Sequence, residues 1–377
     1  MAVRTALAAA LLLAATGCTA DDTDPASSPG ERTTETPSET APESPASTEP
    51  ETPEPSSTGS PTDTTAGDRV ALLDWQDTGE PVDARVTVGD EWRVAVDRSR
   101  TTAELTGPTG GLALPAGPRR RFSEVLLDDE WAVLVAQDRA ESRPSVARVV
   151  ELATGDVRRV VTPEPASGGS WAMADGSLWY PTTGDGGAYC LATLALADSN
   201  GEDGWCAEPR TGWSGLTASS AGVGMMTFDD RRPVACRTVN LVDGSGLPQP
   251  VAEAEPCTGW DVAATETGAI WSVVPRARRQ EEATFHATSE DGVVDLGAGT
   301  TGSLVPCGDS VFFVRDPQDR DDPARLMRWT AGPELEIAYE SRSRGNAFLG
   351  EPVCSGDVLT LSSYGQDGDE QVWARVD

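Results

Sequence analysis

The sequence predicts an all-β fold, a closed ring of seven four-stranded sheets, on three observations. A tight turn followed by a short apolar strand recurs seven times between residues 89 and 361. Successive copies stand roughly 40 to 48 residues apart, the length of one four-stranded unit. The last copy stops after three strands, while an apolar segment, Val70–Trp75, belongs to no repeat.

The recurring turns are Gly89-Asp90, Asp128-Asp129, Asp175-Gly176, Ala221-Gly222, Thr267-Gly268, Gly308-Asp309 and Gly356-Asp357. Glycine and aspartate suit such turns because they tolerate positive φ or bond back to the backbone. Each copy divides into strands A to D. In the third, residues 170–174, 177–181, 188–196 and 204–208 are the four strands in order. In the second, residues 145–152 form strand C. The seventh ends with strand C at residues 371–376, so Val70–Trp75 is expected to supply its strand D and close the ring. In this pattern residues 69–377 resemble the seven-bladed β-propellers of secreted bacterial proteins. The resemblance is architectural: no Trp-Asp signature, Kelch glycine pair or regular Asp-box is present.

The chain begins with Arg4 and an apolar run from Ala6 to Ala15, too short for the roughly 20 residues of a membrane-spanning helix. It reads as a secretory signal, residues 1–17. Ala15-Thr16-Gly17-Cys18 resembles a bacterial lipobox, which implies diacylation of Cys18 after cleavage and a lipid anchor on the outer face of the cell membrane. Residues 18–68 form an acidic stalk rich in Pro, Ser and Thr, without aromatic or branched aliphatic side chains from 19 onward. Such a segment cannot bury enough apolar surface to offset its chain entropy. At about 3.1 Å per residue its reach is on the order of 150 Å.

The net charge is −32, and all 29 basic residues are arginine. That acidity excludes nucleic acid as a partner and leaves the lipid as the only membrane contact. Together with the abundant Ala, Gly and Pro, it associates the chain with a GC-rich, actinobacterial genome.

Setting Cys18 aside leaves six of the seven cysteines, and the repeat register pairs them. Cys190–Cys206 and Cys236–Cys257 each flank a C–D hairpin. Cys307 and Cys354 end equivalent inner strands and would staple the sixth repeat to the seventh. A thiolate metal site would favour C-x-x-C spacing, which is absent. No metal or other cofactor is expected.

No catalytic constellation stands out. The single histidine, His286, has no nucleophile motif near it, and G-x-S-x-G, H-E-x-x-H and P-loop patterns are missing. The acidic run from Asp198 to Gly204 departs from a calcium loop in its glycine position and reads as a C–D turn. Charges of both signs crowd the B–C loops: Asp97–Arg100, Gln137–Arg143, Asp229–Arg232 with Arg231 at its centre, Arg276–Glu282 with Arg278, and Asp316–Asp322. In this architecture B–C and D–A loops share one face. Trp171, Trp213 and Trp260 begin strand A of three consecutive repeats on that face, with Arg210 and Asp261 beside them. Exposed indoles there would stack on sugars or anchor a peptide. The expectation is a monomeric, non-enzymatic surface protein whose charged face docks a protein or a cell-wall polysaccharide. The alternative is an extracellular carbohydrate-active hydrolase or lyase using channel carboxylates, for which inward carboxylates over a deep pocket would argue.

Overall fold

The computed structural model describes residues 64–376, apart from 66, 199, 232–235, 277, 278 and 333. The expected signal, Cys18 and nearly all of the expected stalk lie outside the described residues.

Seven antiparallel sheets follow one another along the chain. Their innermost strands, strand A, are Arg85–Val88, Arg120–Leu127, Ala172–Ala174, Thr211–Ser219, Gly259–Thr265 and Val305–Cys307 for blades 1 to 6. In blade 7 strand A is split into Phe348–Leu349 and Val353–Ser355, both pairing with Val358–Tyr364. The repeat register read from sequence holds to within a few residues; blade 3, for instance, has Ser177–Thr183, Tyr189–Ala195 and Glu202–Cys206 after its inner strand. Strand C of blade 2 is Val146–Glu151.

Strands alternate their side chains between the two faces of a blade, so the apolar residues of successive blades meet in pairs. Phe122, Leu134 and Val94 fill the joint between blades 1 and 2, and Trp131, Tyr180 and Leu194 the next. Trp213 and Met225 with Leu191 lie between blades 3 and 4, and Val239, Val262 and Trp271 between 4 and 5. Phe285, Phe313 and Trp329 join blades 5 and 6, and Phe312, Leu326 and Leu361 join 6 and 7. The joint between blades 7 and 1 is different: it is polar. Val88 N–H donates to Thr360 Oγ1 at 3.1 Å, and Gln371 Nε2 donates to Ala84 O at 2.9 Å and to Ser362 Oγ at 3.0 Å. Thr87, Thr360, Ser363 and Gln371 are buried there.

The ring is closed by the N-terminal segment, but by the two residues that follow the stretch the sequence suggested. Gln76–Asp77 pairs antiparallel with strand C of blade 7, Glu370–Arg375. Val70–Trp75 is not that strand. Its backbone belongs to a strap along the outer edge of blade 6, where Gly67–Val70 runs parallel to Glu334–Arg344. Ala71 N and Leu73 N continue the ladder to Ile337 O and Ala338 O at 3.1 and 3.0 Å. Further upstream, Thr64–Thr65 pairs in parallel with the outer strand of blade 5. The apolar character of the segment reflects its role as a joint. Val70 and Leu72 point to solvent, whereas Leu73 and Trp75 pack on the blade 6–7 core. Trp75 Nε1 donates to Ala338 O at 2.8 Å and its ring meets Tyr339 edge-on at 5.3 Å. Arg315 ties the strap down, bonding Asp68 at 2.6 Å and the carbonyls of Leu296 and Ala298 at 2.8 and 2.9 Å.

The disulfides are Cys190–Cys206, Cys236–Cys257 and Cys307–Cys354, the last spanning 47 residues and stapling blade 6 to blade 7. Two strengthen single hairpins; the third strengthens the joint next to the closing seam.

Closure therefore depends on Trp75. Trp75→Ala should lower unfolding free energy by about 3 kcal/mol, read as a shift in the denaturant midpoint. Deleting residues 20–60, which hold no apolar side chain able to join a core, should leave the melting temperature unchanged.

Candidate functional site

Inner strands point their edges at the channel, so regular alternation alone would send few side chains into it. Three of them carry a bulge, and bulges re-aim side chains. In blade 2 the register slips between Phe122 and Glu124. The core demands this: Phe122 and Val125 pack into the same joint though three residues apart, an odd spacing that strict alternation forbids. Similar slips fall between Ser214 and Thr217 in blade 4, with Gly215 at φ 62°, and between Gly259 and Val262 in blade 5. The residues left out of register include Ser123, Leu216 and Asp261, and Glu124 follows the first of these slips.

A cavity of about 510 Å³ opens beside the polar seam. Its walls come from strand A of blades 1, 2, 3, 4, 6 and 7, and its lining includes Asp97, Arg98 and Arg100 of the blade 1 B–C loop. It is therefore reached from the face that carries the B–C loops. Arg85, Arg100, Glu124 and Glu351 bring charge to it.

Burial pushes the Glu124 carboxyl up to about 7; the nearby charge of Glu351 adds to the effect and that of Arg85 opposes it. Glu351 is raised as well, by burial, with Arg85 again opposing. Arg85 stands close enough to act on both carboxylates, yet makes no salt bridge with either; its Nη1 donates to Ser123 O at 3.2 Å. Arg100, held at φ 56°, has no carboxylate partner among the described residues. Its basicity is lowered by burial and then by repulsion from Arg85 and Arg121. Arg98, by contrast, is neutralised by Asp83 at 3.0 Å.

Several other charges of this face are spent within their own loops. Asp97 accepts from Thr101 N at 2.7 Å and Ser99 Oγ at 2.9 Å. Asp138 turns inward to Ser142 Oγ at 3.1 Å. Arg276 and Arg279 both reach Glu282, at 2.9 and 3.2 Å.

The site residues expected from sequence are not brought together as a binding ring. Trp171 and Trp213 are 4 % and 2 % exposed. They are inter-blade packing residues, Trp171 stacked on Tyr180 and Trp213 tilted against Tyr189, each at 5.1 Å. The reason is that strand A lies where blades converge, so a large side chain at its start fills a joint before it meets solvent. Trp260 is half-buried and its face is covered by the Arg237 guanidinium at 4.3 Å. Asp261 is buried too: it accepts from Ser272 Oγ at 2.7 Å and from Gly302 N at 3.0 Å, joining blade 5 to the start of blade 6. Burial pushes its carboxyl up to about 6 in spite of those bonds. Arg210 donates to Asp230 O at 3.3 Å, and Arg231 is paired with Asp229 at 2.9 Å and Glu208 at 3.3 Å. Arg278 lies outside the described residues. His286, on strand C of blade 5, stacks on Trp271 at 5.9 Å.

No family model matches the chain, and no curated protein matches it. Solved structures do. The β-propeller domain of the Trilobed protease from Pyrococcus furiosus aligns with 77 % of this chain and 95 % of its own, at 10 % identity and a TM-score of 0.54. The prolyl oligopeptidase B of Galerina marginata aligns over 78 % of this chain and 48 % of its own, at 8 % identity and a TM-score of 0.50. The fold is a seven-bladed β-propeller. At such identities the likeness extends to the scaffold and not to the site.

Glu124 makes this cavity visible in stability. Its folded-state value lies above the ordinary one, so the fold favours the protonated form. The unfolded chain releases the proton first as pH rises, and stability falls until about pH 7, where the folded state releases it too. Glu124→Gln should therefore raise the melting temperature at pH 8 by roughly 2 to 4 °C. The same variant should flatten its decline between pH 5 and 8, followed by calorimetry.

Proposed function

We propose that this chain is a surface-anchored binding lipoprotein: Cys18 carries the lipid, the acidic stalk spans the wall, and the propeller face docks a protein partner or a cell-wall glycan. The observation that supports a docking role is the seam cavity. It opens on the face of the B–C loops and holds two guanidinium and two carboxylate groups with no oppositely charged partner within bonding distance among the described residues, whereas Arg98, Arg276 and Arg279 elsewhere on that face are paired. Arg100 and Glu124 are half-buried and Arg85 and Glu351 are open to solvent, so the four groups are accessible, and a ligand that completes their pairing would gain charge-assisted hydrogen bonds.

A second reading, a carbohydrate-active hydrolase or lyase, draws on one specific observation: Glu124 holds its proton close to neutrality beside a second carboxylate, Glu351. That is the polarity a general acid needs.

Two experiments separate these readings. Cys18→Ala should move the protein from the membrane fraction to the medium, and unchanged partition without acyl label would rule out the anchor. Retention of the purified chain on cell-wall polysaccharide, or its capture of a surface protein, should fall at least about tenfold with Ser99→Trp at the cavity mouth. It should be untouched by Glu130→Trp on the opposite face. Release of new reducing ends from wall glycan, abolished by Glu124→Gln, would instead establish the enzyme.

A further inference from the structure

We propose that the seam cavity binds a carboxylate-bearing saccharide, with the sugar carboxylate against Arg85 and Arg100 and the ring hydroxyls donating to Glu124 and Glu351. This rests on the reading that the B–C face is the docking face, and it names the ligand class for that face.

The mixture of charges selects the ligand. Arg85 and Arg100 present guanidinium donors with no carboxylate among the described residues within bonding distance, and guanidinium recognises carboxylate with paired, planar hydrogen bonds. A neutral sugar would satisfy the carboxylates and leave those guanidiniums without an anionic partner. Glu124 and Glu351 demand donors, and a peptide terminus that met the arginines would set an apolar side chain against them. An acidic sugar offers both groups on one rigid ring, an anion and several adjacent hydroxyls. The remaining wall suits it: Thr87, Thr360, Ser362, Tyr364 and Gln371 contribute hydroxyl and amide groups among shorter apolar surfaces. The volume of about 510 Å³ falls within the range of small-molecule sites.

The site is also proton-linked. Around Glu124 stand Arg85 from blade 1, Arg100 with Asp97 and Arg98 in its B–C loop, Glu351 from blade 7 and Arg121 on its own strand. Asp261 of blade 5 is coupled to Glu351. An incoming carboxylate adds negative charge to this group and favours the protonated form of Glu124, which no longer repels the anion and still accepts from a ring hydroxyl through its carbonyl oxygen. Binding therefore takes up protons near neutral pH and weakens as pH rises.

The test is calorimetric titration of the full chain, purified in detergent, with galacturonate trimer, a glucuronate disaccharide and N-acetylmuramic acid at pH 6 and pH 8. The controls are the carboxyl-reduced form of each sugar and acetyl-dialanine. At least one acidic sugar should bind, and its reduced form should bind at least about ten times more weakly. Arg100→Gln and Arg85→Gln, with melting temperatures confirming the fold, should each cost about tenfold or more, and Arg100→Lys should recover part of the loss. Affinity should drop severalfold from pH 6 to pH 8, with net proton uptake read from two buffers of different ionisation enthalpy. Glu124→Gln should remove that dependence. Equal binding of reduced and acidic sugars, preference for acetyl-dialanine, or failure of all three acidic sugars would overturn the assignment. If a wall polymer or partner protein is still retained by the folded Arg85→Gln, Arg100→Gln chain, the cavity assignment fails while the docking face stands. If Ser99→Trp leaves retention unchanged, the docking face fails as well.

Discussion

The joint between blades 7 and 1 is the constraint on which the rest of this molecule depends. A propeller has as many joints as blades, and six of these seven zip together through large apolar side chains. The seventh has no such cluster. It is held by Gln371, Thr360 and backbone groups of the blade 1 inner strand, and by a closing ladder only two residues long. A ladder that short cannot secure the ring by itself. The N-terminal strap spreads the task over three blades: parallel pairing along blades 5 and 6, the Trp75 indole on Ala338 and Tyr339, and Arg315 on Asp68. The same strap covers two outer strands whose free backbone groups would otherwise invite pairing with other chains.

The cavity lies in the central channel, walled by the inner strands of six blades, and the polar seam forms one side of it. Apolar joints close to van der Waals contact, because every gap forfeits dispersion and transfer energy. A joint built from hydroxyls and amides is satisfied at hydrogen-bonding distances in fixed directions, and it gives the channel a polar wall on this side. The bulge in the inner strand of blade 2 precedes Glu124, which lines the channel within electrostatic reach of Arg85 and Glu351. Local rules are broken together here: a polar joint, a register slip, a non-glycine residue at positive φ and unpaired charges. Such coincidences mark the places where a chain retains something other than stability.

Charge also acts at two ranges. The net charge of −32 repels an anion at a distance. Affinity for one must come from short contacts inside the cavity, at hydrogen-bonding distance from its two guanidiniums. Salt would dampen the long-range repulsion and leave the short contacts largely intact. The acidic surface and the two arginines of the cavity are thus compatible, with selectivity in the second and solubility in the first.

Much of the architecture was legible in the sequence because it repeats. Turn, strand and period are local properties, so the blade count, the strands of blade 3 and the cysteine partners follow from register alone. The closing strand was harder, since Gln76–Asp77 is exposed on both sides and has no apolar signature. The segment with that signature, Val70–Trp75, packs a joint instead. The tryptophans misled for a related reason: sequence identifies a large side chain at the start of strand A, and only convergence of the blades decides that Trp171 and Trp213 are covered. The odd spacing of Phe122 and Val125 was the one local trace of the bulge that aims Glu124. What no local pattern contains is the meeting of Arg85, Arg100, Glu124 and Glu351. They come from blades 1, 2 and 7, the two ends of the repeat, and they become neighbours only because the ring closes.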